Sequence, residues 1–174
     1  MTRMRVFVGI GSNIEPRSNI KGALAALHRA VGVRAVSTFY RTPALNRPTD
    51  PPFAKGVAEV GDALAPLQLK RLFRRTEQAL GRHRGPDRYA PRTIDLDLLI
   101  YGDLVCNSDE LRVPDPAILE RPFVAIPLLE LAPDLVIPGS GAALRAVTSS
   151  IPPYPMEALP DLTSELRKEL SNES

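Results

Sequence analysis

Apolar and polar positions follow two periods along the chain, and the alternation between them sets out the fold. Val6-Phe7-Val8-Gly9-Ile10 is a short apolar run that reads as a buried first strand, closed by a turn at Gly11-Ser12-Asn13. Ile20, Ala23, Leu24, Leu27 and Val31 recur at helical spacing and predict an amphipathic helix. From Val33 to Arg41 the period returns to two, with Val36, Thr38 and Tyr40 on one face and Ala35, Ser37 and Phe39 on the other. Thr42 to Pro52 holds four prolines and reads as a long loop of functional interest. A third strand is expected from Phe53 to Val60. A second helix follows, opened by Pro66 and striped by Leu69, Leu72, Phe73, Thr76 and Leu80. Gly81 to Pro91 is a loop, and Thr93 to Tyr101 a fourth strand whose run Leu98-Leu99-Ile100 suits a central place in a sheet. The order strand, helix, strand, strand, helix, strand is that of a ferredoxin-like βαββαβ sandwich, an α+β fold with an antiparallel sheet. A second loop from Gly102 to Pro116, a helical segment at Pro122 to Leu131 and extra C-terminal elements follow. From Pro152 the chain is Pro-rich and then charged, and is expected to be a peripheral tail with at most one short helix.

Composition narrows the class. At 174 residues, 44% of them apolar, the chain suits one well-filled core. No apolar run approaches the roughly 20 residues of a membrane span, and Met1-Thr2-Arg3-Met4-Arg5 leads into a strand and not a secretory leader. The single cysteine, Cys106, supports neither an internal disulfide nor a thiolate zinc site, so a reducing cytoplasm is expected. A net charge of +2 and 5% aromatics without Trp argue against a nucleic-acid partner. The arginines are nevertheless concentrated: Arg82, Arg84, Arg88 and Arg92 stand close together against the single acid Asp87, as a compact polyanion such as a nucleotide triphosphate would require.

Arg92-Thr93-Ile94-Asp95-Leu96-Asp97-Leu98 supplies the chemistry. Residues two apart on a strand share a face, so Asp95 and Asp97 set two carboxylates side by side, with Ile94, Leu96 and Leu98 opposite. Alone, such a pair equally describes an edge strand facing water. Beside four arginines and an apolar flank, the pair points to Mg²⁺, which takes one or two carboxylates together with substrate phosphates. Metal-bridged phosphates and guanidinium clamps are the equipment of phosphoryl transfer. The glycines and prolines of the arginine-rich loop Gly81 to Arg92 permit a lid that closes on a substrate. Gly9-Ile10-Gly11-Ser12-Asn13-Ile14 is not a dinucleotide fingerprint, because Ile14 stands at the third glycine position, and no Walker motif occurs. His28 and His83 read as surface residues, not ligands.

These residues carry a resemblance. Gly11-Ser12-Asn13, Phe39-Tyr40-Arg41-Thr42-Pro43, Pro91-Arg92-Thr93-Ile94-Asp95-Leu96-Asp97, Val113-Pro114, Arg121-Pro122-Phe123 and Pro127-Leu128-Leu129-Glu130-Leu131-Ala132-Pro133 resemble the 6-hydroxymethyl-7,8-dihydropterin pyrophosphokinase family of folate biosynthesis, nearly end to end. The resemblance implies a cytoplasmic magnesium enzyme that moves the β,γ-pyrophosphoryl group of ATP to a pterin hydroxymethyl and releases AMP. It implies a family domain over residues 1–151, with 152–174 as the tail, acting as a monomer or weak dimer on small molecules. By position it implies two Mg²⁺ ions on Asp95 and Asp97, with Arg82 and Arg92 neutralising the developing charge. Glu77, Arg84, Arg88, Tyr89, Leu98 and Arg121 would then line the ATP site, and Thr42, Pro43, Leu45, Phe53, Lys55 and Phe123 the pterin pocket, Phe123 stacking on the ring.

Four positions depart from the family pattern. Lys55 stands where an Asn is usual, so a group that donates and accepts becomes one that only donates. Asp115, in Val113-Pro114-Asp115-Pro116, replaces the usual His and turns a phosphate-facing donor into an anion. Tyr89 and Ala90 replace Trp and Gly in the lid. These changes leave two other readings open: a diverged paralogue with the same ATP chemistry and another small-alcohol acceptor, or a non-catalytic binding protein on the same fold.

Overall fold

The first apolar run forms β1 (Val6–Ser12), and the sheet is organised around it. The structure, a computed structural model, describes residues 3–173. Met1 and Thr2, on which part of the reading of the N-terminus rests, lie outside that range. The chain continues through α1 (Pro16–Val31), β2 (Val33–Val36), β3 (Tyr40–Thr42), β4 (Phe53–Val60), α2 (Pro66–Ala79), β5 (Asp95–Tyr101), β6 (Cys106–Asn107), β7 (Arg112–Val113), α3 (Pro122–Leu131), α4 (Leu144–Ser150), β8 (Glu157–Ala158) and α5 (Pro160–Asn172). β1 lies between β5 and β4, antiparallel to both, and β4 pairs in turn with β2 and β3. With β2 and β3 taken together as one broken strand, this is the expected ferredoxin-like order.

The two faces of the sheet are covered differently. Val6, Val8 and Ile10 of β1 and Leu96 and Leu98 of β5 face one way, into a core completed by Ile20, Leu24 and Leu27 of α1 and Leu69 and Phe73 of α2. Phe7, Val57 and Leu99 face the other way, against Ala125 and Leu128 of α3 and Leu144 of α4. Helices α3 and α4 cover only part of that second face. At the uncovered end the same alternation places Gly9 and Gly11 of β1, Lys55 and Phe53 of β4, and Asp97 and Asp95 of β5. The candidate site is that end.

The structure corrects the sequence reading in several places. The expected strand Val33 to Arg41 is broken after Val36. Ser37 pairs with Val57 through both its backbone N–H and its Oγ, which accepts from Val57 N at 2.8 Å. Between Val36↔Ala58 and Tyr40↔Lys55 one strand therefore carries an extra residue, a bulge that turns Val36 and Phe39 to the same core instead of to opposite faces. β6 and β7 form a small hairpin inside the loop from Gly102 to Pro116, and α4 was not foreseen. His28 is half-buried, and its Nδ1 accepts from Val33 N at 3.0 Å where α1 ends. The segment after Pro152 is not peripheral. β8 extends the sheet beside β3, and α5 buries Leu166 and Thr163. Thr163 Oγ1 accepts from Phe39 N at 2.9 Å, supplying the partner that the break in the strand leaves that N–H without.

Candidate active site

Two rows of residues cross the open end of the sheet. One is Val57–Gly9–Asp97 and the next Lys55–Gly11–Asp95. In each, a glycine of β1 lies between a β4 side chain and a β5 carboxylate. A Cβ built at Gly11 would already be in contact with Lys55 and Phe53, at 3.5 and 3.7 Å, so any larger side chain there would fill the site. The glycines rejected as a dinucleotide fingerprint serve as a flat floor. Their alternation with the apolar residues of β1 was the available signal.

Asp95 and Asp97 do point to one side of β5, as their spacing predicted. Asp95 accepts from Arg82 Nη1 at 2.9 Å and from Arg92 Nη1 at 3.4 Å. Arg82 is held from behind by Glu77, whose buried carboxylate takes Arg82 Nη1 at 2.6 Å, Arg84 Nη2 at 2.9 Å and the backbone N–H of Leu96 at 3.0 Å. Glu77 therefore orients two arginines and fixes the start of β5. It does not itself face open space. Asp97 has no ion-pair partner among the described residues. Its side chain opens to the cleft, but the surrounding walls desolvate it, and Asp95, Asp115 and Glu77 add negative charge, so its carboxyl holds a proton well above the usual carboxylate range. A cation is what such a group lacks.

The donor set fits a hard divalent ion. Among the described residues no group of three or more His, Cys, Asp or Glu is arranged to hold a metal, so two carboxylates would need oxygens from a substrate to complete the shell. Asp97 borders three cavities. One of about 440 Å³ is walled by the arginine loop from Arg82 to Arg92. A second of about 370 Å³, on the far side, is lined by Lys70, Leu98, Leu111, Arg112 and Asp115. A third, of only about 40 Å³, lies between Asp97, Lys55 and Phe123. Of the expected residues, Arg82, Arg84, Arg88, Arg92, Leu98, Lys55 and Phe123 thus line cavities that meet at one carboxylate.

The remaining expected residues are placed as follows. Arg88 is exposed and lies over the Tyr89 ring at 5.2 Å, and its carbonyl accepts from Arg92. Arg121 caps α3 and lies close enough to Lys55 to weaken its hold on a proton. Phe53 and Phe123 flank the Lys55 ammonium, and Leu45 is half-buried. Thr42 is not open to a ligand: it is fully buried, and its Oγ1 donates to Pro155 O at 2.8 Å. Pro43 is exposed, and its carbonyl accepts from Tyr154 Oη at 3.0 Å. Asp115 caps the short 3₁₀ turn Pro116–Leu119 by accepting from Ala117 N, and burial pushes its carboxyl up.

Two residues were missed. Tyr154 stacks edge-on against Phe123, 5.7 Å between centroids, so the tail helps to build the aromatic slot. An aromatic set among prolines at 152–155 was its signal. Asn13 ties three segments together: its Oδ1 accepts from Arg92 N at 2.8 Å, and its Nδ2 donates to Pro51 O at 3.1 Å. Nothing in its local sequence shows this, because both partners lie far along the chain.

Comparison with known proteins places this geometry. Residues 7–133 match the profile of the 7,8-dihydro-6-hydroxymethylpterin-pyrophosphokinase family. The chain belongs to that family. A Pseudomonas aeruginosa relative, named 2-amino-4-hydroxy-6-hydroxymethyldihydropteridine pyrophosphokinase, is 40% identical over 159 residues, covering 90% of this chain and 97% of that protein. A Synechocystis relative of the same name is 39% identical over 140 residues, covering 79% and 71%. Folic acid synthesis protein fol1 of Schizosaccharomyces pombe is 36% identical over 149 residues, where the match covers 84% of this chain and 20% of that longer protein. Among solved structures, HPPK-DHPS in complex with substrates superposes with a TM-score of 0.66 at 12% identity, and a Plasmodium falciparum HPPK-DHPS triple mutant with pteroate with 0.64 at 10%. The chain spans 43% of each of those two structures, and at that identity they speak to the fold alone. The sheet order, with β1 central, is the fold that this pyrophosphokinase family implies.

Proposed function

We propose that this chain transfers the pyrophosphoryl group of ATP to the hydroxymethyl oxygen of 6-hydroxymethyl-7,8-dihydropterin. The new bond joins that oxygen to the β-phosphorus, the hydroxyl proton passes to solvent, the bond from the β-phosphorus to the α–β bridging oxygen breaks, and AMP leaves. The observation that carries this reading is Asp97, a carboxylate without an ion-pair partner among the described residues, at the meeting point of an arginine-walled cleft, a second cleft and an aromatic slot. Match to the family over most of the chain and 40% identity to a relative of nearly equal length support the pterin as acceptor over another small alcohol.

In this reading Asp95 and Asp97 hold two Mg²⁺ ions, which when bound neutralise the phosphate oxygens and align them for in-line displacement. Arg82 and Arg92 now neutralise Asp95. With Asp95 engaged by a metal instead, these two guanidinium groups would be free to donate to the phosphates. Arg84, Arg88, Tyr89, Leu98 and Arg121 line the nucleotide side, and Glu77 acts through Arg82 and Arg84. Pro43, Leu45, Phe53 and Phe123 form the acceptor side, with Thr42 bracing it from behind. The free thiol of Cys106 suits a cytoplasmic enzyme, and a monomer or weak dimer working on small molecules without nucleic acid completes the proposal.

Incubation with Mg-ATP and 6-hydroxymethyl-7,8-dihydropterin should release AMP stoichiometrically with pterin pyrophosphate. AMP absent at high enzyme concentration, or ADP in its place, would reject the assignment.

A further inference from the structure

The aromatic slot contains a side chain of the protein itself. Lys55 runs over Gly11, and its Nζ stands 4.0 Å from the Phe123 centroid and 4.6 Å from that of Phe53. A flat ring stacked on Phe123 would place its atoms at roughly 3.5–4 Å from that face, where the ammonium now lies. The space remaining beside Lys55 is about 40 Å³. The ammonium lies on the Phe123 face itself, so a flat ring and Lys55 cannot both occupy the stacking position. Lys55 forms no ion pair within 4.0 Å among the described residues, and its ammonium lies against the two ring faces. Burial lowers its pKa to about 8, opposed by Asp95 and Asp97 and aided by Arg92 and Arg121. Cation–π contact with the two rings holds it in the slot, with attraction from the Asp95 and Asp97 carboxylates behind it.

We infer that Lys55 is a specificity-determining plug of the acceptor slot. It occupies the stacking position in the resting enzyme and yields only to a flat heteroaromatic ring that stacks on Phe123 more favourably than the ammonium does. Its way out lies along the row Lys55–Gly11–Asp95, where Gly11 offers no side chain to block it. Small or non-planar alcohols, which cannot replace the cation–π contact, are excluded by the same device. The inference rests on the slot being the acceptor site, as proposed above.

The test is calorimetric titration of the full chain with 6-hydroxymethyl-7,8-dihydropterin, in Mg²⁺ and a non-hydrolysable ATP analogue, for wild type, K55A, K55N and K55R. Emptying the slot should tighten acceptor binding about tenfold in K55A and K55N, by removal of a cation–π contact that the ligand otherwise has to break. K55R, which keeps a cation over the rings, should show no gain. In steady state the acceptor KM should fall without a parallel fall in the KM for ATP, a split that general loosening of the fold would not produce. Thermal melts confirm folding, and the two truncations serve as duplicates should one fail. If wild type binds the pterin and both truncations bind it equally or more weakly, the plug is wrong and the slot assignment stands. If neither wild type nor the truncations bind, the slot assignment fails and takes the plug with it.

Discussion

The two acids of β5 are chemically alike but stand in different company. Asp95 is neutralised by Arg82 and Arg92, whereas Asp97 is surrounded by Asp95, Asp115 and Glu77 and opposed chiefly by Lys55. Like charges gathered around a desolvated carboxylate favour its neutral form, so an ionised Asp97 works against folding until a cation arrives. D97N removes the charge while keeping the shape. We expect its melting temperature in metal-free buffer to rise above that of wild type, while AMP formation falls by about two orders of magnitude or more. Wild type should gain thermal stability on addition of Mg-ATP and D97N little or none. A variant both inactive and less stable in metal-free buffer would show that Asp97 is a structural group and not a metal ligand.

At the scale of elements, the parts that follow from period alone were legible. β4 and α3 appear with the limits that the sequence indicates, because each is bounded by prolines or turns and is mostly apolar. The side-by-side acids were legible for the same reason. What could not be read depends on contacts between distant segments. The bulge after Val36 exists because Ser37 replaces a regular rung with its own hydroxyl, and Phe39 N then finds Thr163 more than a hundred residues away. The role of the tail was hidden because its buried positions, Thr163 and Leu166, and its half-buried ones, Leu159, Leu162 and Leu170, are spread through a charged sequence. The structure gathers many of the residues carried over by resemblance at one end of the sheet, but resemblance did not separate those facing open space from those behind them, such as Glu77 and Thr42. The packing of α5 leads to a direct expectation. Leu166 is fully buried against the α1 side of the core, so L166A should lower stability by about 2–4 kcal/mol, measured by urea denaturation with an unchanged m-value. A loss below about 0.5 kcal/mol, the size typical of a surface substitution, would return the tail to a peripheral role.

Across the whole molecule, one face of the sheet is divided between function and stability. Its open end gathers Asp95, Asp97 and Lys55 with little direct neutralisation of Asp97, while its covered end holds a carboxylate that is fully satisfied. Glu59 is 3% exposed and accepts from Arg5 Nε at 3.1 Å, Arg5 Nη2 at 2.7 Å and Arg3 Nη2 at 3.3 Å. Arg5 also donates to Leu131 O at 3.1 Å and lies over the Phe7 ring, so the network fastens the end of α3 to the sheet. The hydrogen bonds from Arg5 hold the Glu59 carboxyl below the usual glutamate range. The folded chain thus binds this proton more weakly than the unfolded chain, and ionisation favours folding at any pH above the ordinary value of 4.5. That contribution disappears as pH falls through the lower, folded value. E59Q, which keeps size but not charge, should cost about 2 kcal/mol at pH 7, less than for a fully buried pair because both arginines are partly in water. The gap between wild type and E59Q in urea denaturation should stay constant from pH 7 to about 5, then close as pH falls below 4.5. A gap that persists unchanged to pH 3 would mean that the carboxylate is held by shape and not by charge. Asp97 has the opposite sense, its proton affinity raised instead of lowered, so E59Q and D97N should move stability at neutral pH in opposite directions. That contrast is the expected mark of one sheet face that anchors a helix at one end and leaves a carboxyl unpartnered for a ligand at the other.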